Sequence, residues 1–527
     1  MLNFLFRGAR TRILRRAPVP PRRSFVPRLE ALEGRCLPST FTVTNLADSG
    51  RGSLRGQVAA AAPGDTIVFK PRLSGTIALG STLTLDRNVS VVGNLDAAGN
   101  PLVTLTSSGR DGSTDLAVNP VVTASVSGLT LTGATEAAVF NQGSLTLSHV
   151  VVTGNWIGSG AFDHTGTVYN AGGTLVVQDS RITNNHLPYS TSGVHGGGGI
   201  ESGPYLGGPA GTLTVTNSTV SNNDGGRDGG GIWISGGTAA ITGSTITGNS
   251  VPDIGGGIGG NGTFTLTVTG STISGNFASL GGGILAAGNG TAAITDTTVS
   301  GNTAQSGGGG VYFGTKNAST LANSTVANNQ VPAYGRGGAG ILVADRSAAT
   351  VVNSTIAGNT AGGLTNGGGI YVASGSTLFA GGTLTLLNST VASNQTAGAG
   401  GGLWIGATRT QVRLANTIVA GNTTATTGPD VTGPLLSTSA YNLIGDGSGA
   451  SGLINGTNGN QVGTVASPID PRLGPLQDNG GPTWTMALLP GSPALNAGDP
   501  SQLGTKDQRG VVRTGGVSIG AYQDSGA

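Results

Sequence analysis

GGGIWISGGTAAITGSTITGN, residues 229–249, is the clearest copy of a pattern that recurs through the middle of this chain. The segment divides into three short stretches in which aliphatic residues alternate with polar or aromatic ones, as they do in β-strands. Alternation directs Ile232, Ile241 and Ile246 to one side and Trp233 to the other. Gly, Ser, Thr and Asn dominate and no apolar period of 3.6 residues is present, which disfavours helix.

The end of this segment, a β-branched residue followed three places later by Asn, occurs ten times. The Asn residues are Asn155, Asn185, Asn223, Asn249, Asn276, Asn302, Asn329, Asn359, Asn394 and Asn422. The β-branched residues are Val152, Ile182, Val220, Ile246, Ile273, Val299, Val326, Ile356, Val391 and Val419. The Asn residues are 26 to 38 residues apart. Self-similarity at such a period is the signature of a solenoid. The repeat predicts an all-β, right-handed parallel β-helix of roughly a dozen coils, a rod on the order of 60 Å long.

Stacked coils bury a narrow core, because equivalent aliphatic residues meet along the axis. The slot of Ile241 is occupied in the other coils by Leu147, Val177, Val215, Val268, Ile294, Leu321, Val351, Leu386 and Leu414. The repeated Asn tolerates the left-handed conformation and can bond the Asn one coil away, so we expect a ladder. Ten regularly spaced copies indicate a structural role for Asn and not a catalytic one.

The start of the coil region needs a cap, since an open stack exposes unpaired strand edges. Ser53 is a good N-cap for a short helix in which Leu54, Val58 and Ala61 cover the first coil. Pro63 and the Gly after it end that helix. We assign residues 41–425 to the β-helix with its N-terminal cap.

Composition suits thin stacked coils better than a thick globular core: the 527 residues include 97 Gly, 4% aromatic and 9% charged residues. Residues 1–40 contain nine Arg and two Glu, which leaves 17 basic and 22 acidic residues in the remainder. A mildly acidic body argues against nucleic acid as a partner. No run of 18 apolar residues occurs, so no transmembrane helix is expected. We expect a monomer without a cofactor.

Residues 1–40 form a basic segment that we expect to be an export leader, disordered or removed. Its end, RLEALEGRCLPS at 28–39, resembles the leader motif found ahead of large secreted repeat proteins of planctomycete type. TFTVTNLADSGRGSLRGQV at 40–58 resembles the opening of bacterial parallel β-helix surface proteins. These resemblances imply an extracellular or cell-surface location.

The C-terminal region, residues 426–527, has no repeat. NLIGDGSG (442–449), DPRLGPLQDNGGPTWTMALLPGSPALNAGD (470–499) and SIGAYQ (518–523) are similar to the choice-of-anchor Q domain. The resemblance implies an attachment role, and we expect the region to close the end of the stack. The repeats themselves resemble those of polymorphic outer membrane proteins, with Val or Ile in place of the Phe that is usual there.

Parallel β-helices serve both as polysaccharide lyases or hydrolases and as inert rods, so the fold alone does not decide the function. An enzyme needs clustered acids for Ca²⁺ or for acid/base chemistry. The densest acidic patch also includes Glu201 and His195, and its candidate catalytic residues are Asp224, Arg227, Asp228 and Asp253. Counted from the preceding Asn, Asp228 and Asp253 should occupy equivalent turns roughly 5 Å apart. Alternatively, Asp is simply a favoured turn residue. The spacing of the His residues predicts no metal site.

A second pattern lies just after each Gly-rich run, where one residue should face outward. This position is occupied in turn by Glu201, Trp233, Gly259, Leu285, Tyr312, Leu342, Tyr371 and Trp404. Outward rings can stack on sugars, which makes Trp233, Tyr312, Tyr371 and Trp404 candidate ligand-binding residues. Alternatively, the rings cover exposed backbone at Gly.

These observations favour a secreted or cell-surface rod with a structural or adhesive role, which binds polysaccharide or another envelope component through the four rings. The alternative is a polysaccharide lyase or glycoside hydrolase, for which Ca²⁺ would be the expected cofactor.

Overall fold

The computed structural model describes residues 38–107, 112–158, 166–188, 196–332, 335–426 and 428–524. The predicted leader lies almost entirely outside these residues, as do His164 and His195. The described chain is a right-handed parallel β-helix of about 14 turns, as the repeat predicts. No helix among the described residues is both long enough and apolar enough to cross a membrane.

Three long parallel sheets, here named I, II and III, run along the stack, and most coils contribute one strand to each of them, in the chain order III, I, II. Sheet I comprises Thr40–Val43, Thr66–Phe69, Ser90–Val92, Thr123–Ser127, Ser144–Ser148, Thr174–Gln178, Thr212–Thr216, Gly237–Thr242, Phe264–Thr269, Thr291–Thr295, Ala318–Ala322, Ala348–Val352, Thr383–Leu387 and Gln411–Ala415. Sheet II comprises Gly75–Leu79, Val103–Ser107, Leu129–Thr132, Val151–Thr153, Arg181–Thr183, Thr219–Ser221, Thr245–Thr247, Thr272–Ser274, Thr298–Ser300, Thr325–Ala327, Thr355–Ala357, Thr390–Ala392, Ile418–Ala420, Leu443–Ile444 and Gln461–Val462.

Sheet III carries the outward residues that follow the Gly-rich runs. It comprises Leu83–Leu85, Thr114–Val118, Ala137–Asn141, Val168–Ala171, Ile200–Gly203, Ile232–Ile234, Ile258–Gly260, Ile284–Gly288, Val311–Thr315, Ile341–Val343, Ile370–Val372, Leu403–Ile405, Val431–Pro434 and Gly449–Ser451. A shorter sheet IV follows sheet II in the later coils and comprises Phe277–Leu280, Thr303–Gly307, Gln330–Val331, Thr360–Ala361, Gln395–Thr396 and Thr423–Thr424.

The predicted inward files are confirmed by the strand register. Ile246, Ile273 and Val299 are consecutive partners in sheet II and are fully buried. The ten aliphatic residues of the Ile241 slot pair in an unbroken line along sheet I. Like side chains therefore meet along the axis in one continuous core.

The repeated Asn side chains form a buried ladder. Each of the first nine donates from Nδ2 to Oδ1 of the Asn one coil on, at 2.8–3.0 Å. The last, Asn422, donates to Oδ1 of Asp430 at 2.9 Å. At the other end, Asn155 Oδ1 accepts from the backbone N–H of Ala134 at 3.0 Å. The ladder satisfies buried polar groups that would otherwise destabilise a thin core.

The residue of the turn that adopts the left-handed backbone conformation is not the ladder Asn, as was predicted, but the residue before it. The ladder Asn residues do not have positive φ, whereas the residue before each of them does, for example Gly248 (65°), Asn222 (53°) and Asn328 (56°). Gly and Asn are the residues that adopt this conformation at least cost. The ladder Asn is therefore selected for its side-chain amide and its neighbour for its backbone.

The N-terminal cap is confirmed. Helix α1 spans Leu54–Ala60, and the Ser53 side chain accepts from the backbone N–H of Gly56 as an N-cap. Leu54 and Val58 are buried and belong to the main hydrophobic core. Ala61 is also buried, and its backbone N–H donates to the Gln57 carbonyl as the helix ends.

The C-terminal region has two parts, of which the first continues the coils and the second lies beside them. Residues 428–462 add further strands to sheets II and III, so the coils continue beyond residue 425. Residues 470–524, here called the C-terminal flank, instead lie along the outer side of sheet II. They include an antiparallel hairpin of Leu473–Gln477 with Thr485–Leu488. Two short 3-10 helices, Thr457–Gly459 and Pro500–Gln502, complete the region.

Gln508 makes buried polar contacts between the C-terminal flank and the coils. Its Nε2 donates to Thr325 Oγ1 at 3.1 Å and its Oε1 accepts from Thr355 Oγ1 at 2.7 Å. Beside these bonds, Met486 packs on Ala357 and Ala392 in a small apolar cluster. The flank is thus held to the side of the rod by buried polar and apolar contacts together.

Candidate functional surfaces

The predicted acidic patch is not assembled as expected. Asp228 is in register with Ile254, and not with Asp253. The residue that meets Asp253 is Arg227, whose Nε lies 3.2 Å from Asp253 Oδ2. Asp228 and Asp253 lie in equivalent turns of adjacent coils, but the prediction that they meet there was wrong: the two turns are of equal length, so Asp228, five residues after Asn223, aligns with the fifth residue after Asn249 and not with Asp253, the fourth. Asp228 is also buried.

Asp224 occupies a position in its coil that differs from the positions of Asp228 and Asp253. It is in register with Ser250, and its Oδ2 lies 2.9 Å from His186 Nδ1 in an ion-pair geometry. Among the described residues, no group of three or more His, Cys, Asp and Glu side chains could hold a metal ion. The candidate catalytic residues therefore form two separate pairs, His186 with Asp224 and Arg227 with Asp253, and not one convergent site.

The second predicted pattern does form one continuous file along sheet III. The eight residues from Glu201 to Trp404 are register partners from coil to coil. Their exposure differs greatly, however. Glu201, Trp233, Leu285 and Leu342 are buried, with Trp233 only 3% exposed.

Trp233 is therefore excluded as an exposed platform for a ligand. A Cβ built on Gly259, its partner on the next coil, would lie 2.6 Å from Cε3 and Cζ3 of the indole. The ring thus rests directly on the Gly backbone and leaves its Nε1 buried without a hydrogen-bond partner. This is the covering role that was the alternative to ligand binding.

Tyr312, Tyr371 and Trp404 remain half-buried at the surface. The rings of Tyr371 and Trp404 are stacked, with centroids 4.5 Å apart and an interplanar angle of 12°. Because the two residues are register partners, their ring faces are turned toward each other along the axis. They offer ring edges, a phenol group and an indole N–H to solvent more than a flat shared face.

Arg336 is the cation associated with these rings, and the carboxylate of Asp345 acts on Tyr312 alone. Burial raises the pKa of the Tyr312 and Tyr371 phenols, and the positive charge of Arg336 opposes that rise at both. Arg336 itself is exposed and has no ion-pair partner among the described residues. The rings and this cation form one surface, here called the Tyr371–Trp404 surface.

Two groups of aromatic residues were missed in the sequence. The file of sheet III continues upstream to Tyr169 and Phe140, whose rings pack with Tyr205 at centroid distances of 5.4–6.2 Å. Counting two further coils upstream would have found both. On another face, Trp156 contacts the ring of His186. The signal for this contact was that both residues directly follow a ladder Asn.

Comparisons with known proteins agree with the coil architecture. Residues 205–379 and 256–425 match the family model described as "Right handed beta helix region". Both matches lie within the coils, and they overlap. No curated protein gives a significant match to the sequence.

Three solved structures resemble the chain at low identity. They are a pectate lyase (13% identity, 92% of this chain and 96% of that chain, TM-score 0.28), the A-module of a mannuronan C-5 epimerase of Azotobacter vinelandii (15%, 75% and 97%, 0.34) and a mannuronic acid specific polysaccharide family 6 lyase from human gut microbiota (12%, 75% and 86%, 0.30). At these identities and TM-scores the likeness carries no inference about a site or an activity.

Proposed function

We propose that this protein is an extracellular or cell-surface β-helix rod with a structural or adhesive role, and that it binds polysaccharide without cleaving it. The observation that carries the proposal is the half-exposed stack of Tyr371 on Trp404 beside Arg336, a cation that has no ion-pair partner in the described part of the chain. The leader-like and anchor-like segments of the sequence support the location, and we infer that the C-terminal region serves attachment. We expect the rod to act as a monomer.

The chemistry of the Tyr371–Trp404 surface suits an acidic polysaccharide. A sugar carboxylate can pair with the Arg336 guanidinium, which presents several donors in a planar fork. The phenol and indole edges supply hydrogen-bond donors and apolar contact to the rest of the sugar. A partly exposed ion pair contributes at most about 1 kcal/mol, so we expect weak contacts that add up over a long polymer.

The lyase or glycoside hydrolase alternative receives less support. Acid/base cleavage requires two carboxyl groups, or a carboxyl group and a cation, placed on either side of one glycosidic bond. In the predicted patch, Asp224 is engaged by His186 and Asp253 by Arg227. Asp224, Asp228 and Asp253 do not converge on one site. This disfavours Ca²⁺ bound by all three, because that ion requires its oxygen ligands at 2.3–2.6 Å from one centre.

Affinity electrophoresis in gels containing polygalacturonate or alginate tests the binding proposal. We expect the protein to be retarded and the Tyr371→Ala, Trp404→Ala double variant to migrate as in a gel without polymer. Arg336→Gln should lose most of the retardation in low salt. Unchanged retardation of both variants would overturn the proposal.

Trp484→Ala is the matched control, because Trp484 is 55% exposed but lies on the C-terminal flank. We expect this variant to behave as the parent protein. Incubation of the same polymers with the protein, with and without Ca²⁺, tests cleavage separately. Release of reducing or unsaturated ends would favour the enzyme alternative.

A further inference from the structure

The residue directly after each ladder Asn lies on the outer side of its coil, and in four consecutive coils it carries chemistry. Trp156, His186, Asp224 and Ser250 are register partners in this order. The file continues with Phe277 and then with Thr or Gln only. Three intervals between coils make the four-residue part about 14 Å long. We call it the Trp156 file.

Trp156 is the aromatic end of the file. Its ring is 61% exposed, whereas Trp233 in sheet III is 3% exposed. One side of the indole contacts the His186 ring, with centroids 4.1 Å apart and planes tilted by 42°. An exposed indole that is held by a neighbouring ring offers a fixed apolar surface of the kind that packs against the C–H face of a sugar.

The polar groups of the file are ordered by one another. Asp224 Oδ2 lies 2.9 Å from His186 Nδ1, and Asp224 Oδ1 accepts from Ser250 Oγ at 3.4 Å. Asp224 is therefore anchored on both sides, and it holds the His186 ring against Trp156. Carboxylate, imidazole and hydroxyl groups in a row are donors and acceptors suited to sugar hydroxyls.

The charges nearby distinguish this file from the Tyr371–Trp404 surface. Asp224 is an anion, and Arg227, three residues further along the chain, is already paired with Asp253 at 3.2 Å. This pairing engages the Arg227 guanidinium, which could otherwise attract a sugar carboxylate. An acidic polymer would meet the Asp224 charge, whereas an uncharged polymer would meet only hydrogen-bonding groups.

We propose that the Trp156 file is a second carbohydrate-binding site, which takes an uncharged glycan. One sugar stacks on the exposed indole of Trp156, and the hydroxyls of the next sugars bond to His186, Asp224 and Ser250. The site lies on a different face from the Tyr371–Trp404 surface and shares no residue with it. Either site can therefore fail in experiment without the other.

Affinity electrophoresis of the full chain in hydroxyethylcellulose, an uncharged polymer, tests this site. We expect the parent protein to be retarded and Trp156→Ala to lose about tenfold in affinity, the size expected for one stacking ring. Trp156→Phe should retain part of the affinity. Asp224→Asn keeps the size of the side chain but replaces the carboxylate that lies 2.9 Å from His186 Nδ1, so it should weaken binding, although less than Trp156→Ala does.

Retardation in polygalacturonate provides the internal control, since Trp156→Ala should leave it unchanged. The Tyr371→Ala, Trp404→Ala variant should lose retardation in polygalacturonate and keep it in hydroxyethylcellulose. Trp484→Ala should change neither. Because Trp156 is largely exposed, the fold should survive its replacement, and unchanged far-ultraviolet circular dichroism would verify this. A parent protein that is not retarded by hydroxyethylcellulose, or a Trp156→Ala variant that binds as the parent does, would overturn the proposal.

Discussion

The outer side of sheet II differs between its middle and its C-terminal coils, although the inner side is the same throughout. In the strands that begin at Thr245, Thr272 and Thr298, the Thr is exposed or half-buried. The next three strands begin at Thr325, Thr355 and Thr390, and in these the C-terminal flank covers the Thr fully. We call these the open half and the covered half of sheet II.

The third residue of each strand changes with the covering. In the open half it is Thr247, Ser274 and Ser300, and in the covered half it is Ala327, Ala357 and Ala392, with Ala420 at the same position of the next strand. All four Ala residues are buried, and Ala357 and Ala392 pack against Met486. The first-position Thr is kept in the covered half because its hydroxyl has partners there: Thr325 Oγ1 donates to the Trp484 carbonyl at 2.6 Å. Small apolar residues thus mark where a second layer lies.

The largest effect should come from a charge placed under the flank. Ala357→Asp would bury an unpaired carboxylate against Met486, and we expect a loss of about 4 kcal/mol in the free energy of unfolding. Ser274→Asp, at the same strand position in the open half, should change it by less than about 0.5 kcal/mol. Urea denaturation of both variants measures the difference. Equal losses would show that the two halves are not distinguished by covering.

The next effect concerns the polar contact of the flank. Gln508→Ala removes a buried amide that also accepts from Thr355 and donates to Thr483 Oγ1 at 2.9 Å. We expect a loss of about 3 kcal/mol, since the four hydrogen bonds of the Gln508 amide are lost and the buried Thr355 hydroxyl loses its acceptor. Hydrogen exchange should rise in the covered half of sheet II and stay unchanged in the open half. A uniform rise along the rod would contradict the local role of Gln508.

The ladder should respond equally in both halves, because it lies inside the coil. Asn276 and Asn359 each donate to a backbone carbonyl and to the next Asn, and each accepts two bonds from the preceding Asn. Replacement of either by Ala should lower the free energy of unfolding by about 2 kcal/mol. A clear difference between the two variants in urea denaturation would mean that the flank also stabilises the interior.

The smallest effect is the part of the pH dependence of stability that arises from Asp430 in the C-terminal coils, in addition to the part from Asp115 in an early coil, whose pKa burial raises to about 7. Burial raises the pKa of Asp430, which accepts from Asn422 at the end of the ladder, above its ordinary value of 3.8. A carboxyl group with a raised folded pKa stabilises the fold at low pH, and this contribution is lost as pH rises from 3.8 through the folded pKa. Asp430→Asn should flatten the pH profile of thermal unfolding in this range. An unchanged profile would exclude Asp430 as the source.

Much of the interior could be predicted from the sequence, because files such as Ile246, Ile273 and Val299 depend only on counting within a coil. The exterior depends on what covers it. The burial of Trp233 follows from the Gly that its ring meets on the next coil. The pairing of Arg227 with Asp253 follows from turns of equal length, since each of the two is the fourth residue after its ladder Asn. The position of the C-terminal flank could not be derived from its own residues, although the change from Ser300 to Ala327 was a signal for it.

The direction of the Asn ladder determines how the length of such a rod can change during evolution. Every Asn rung is both donor and acceptor, so duplication or deletion of a whole coil in the open half leaves no amide without a partner. Asp430, when ionised, can only accept, and it therefore terminates the series. Because the flank spans a fixed set of coils, variation in length is tolerated upstream of Asn323 and is excluded beneath the flank.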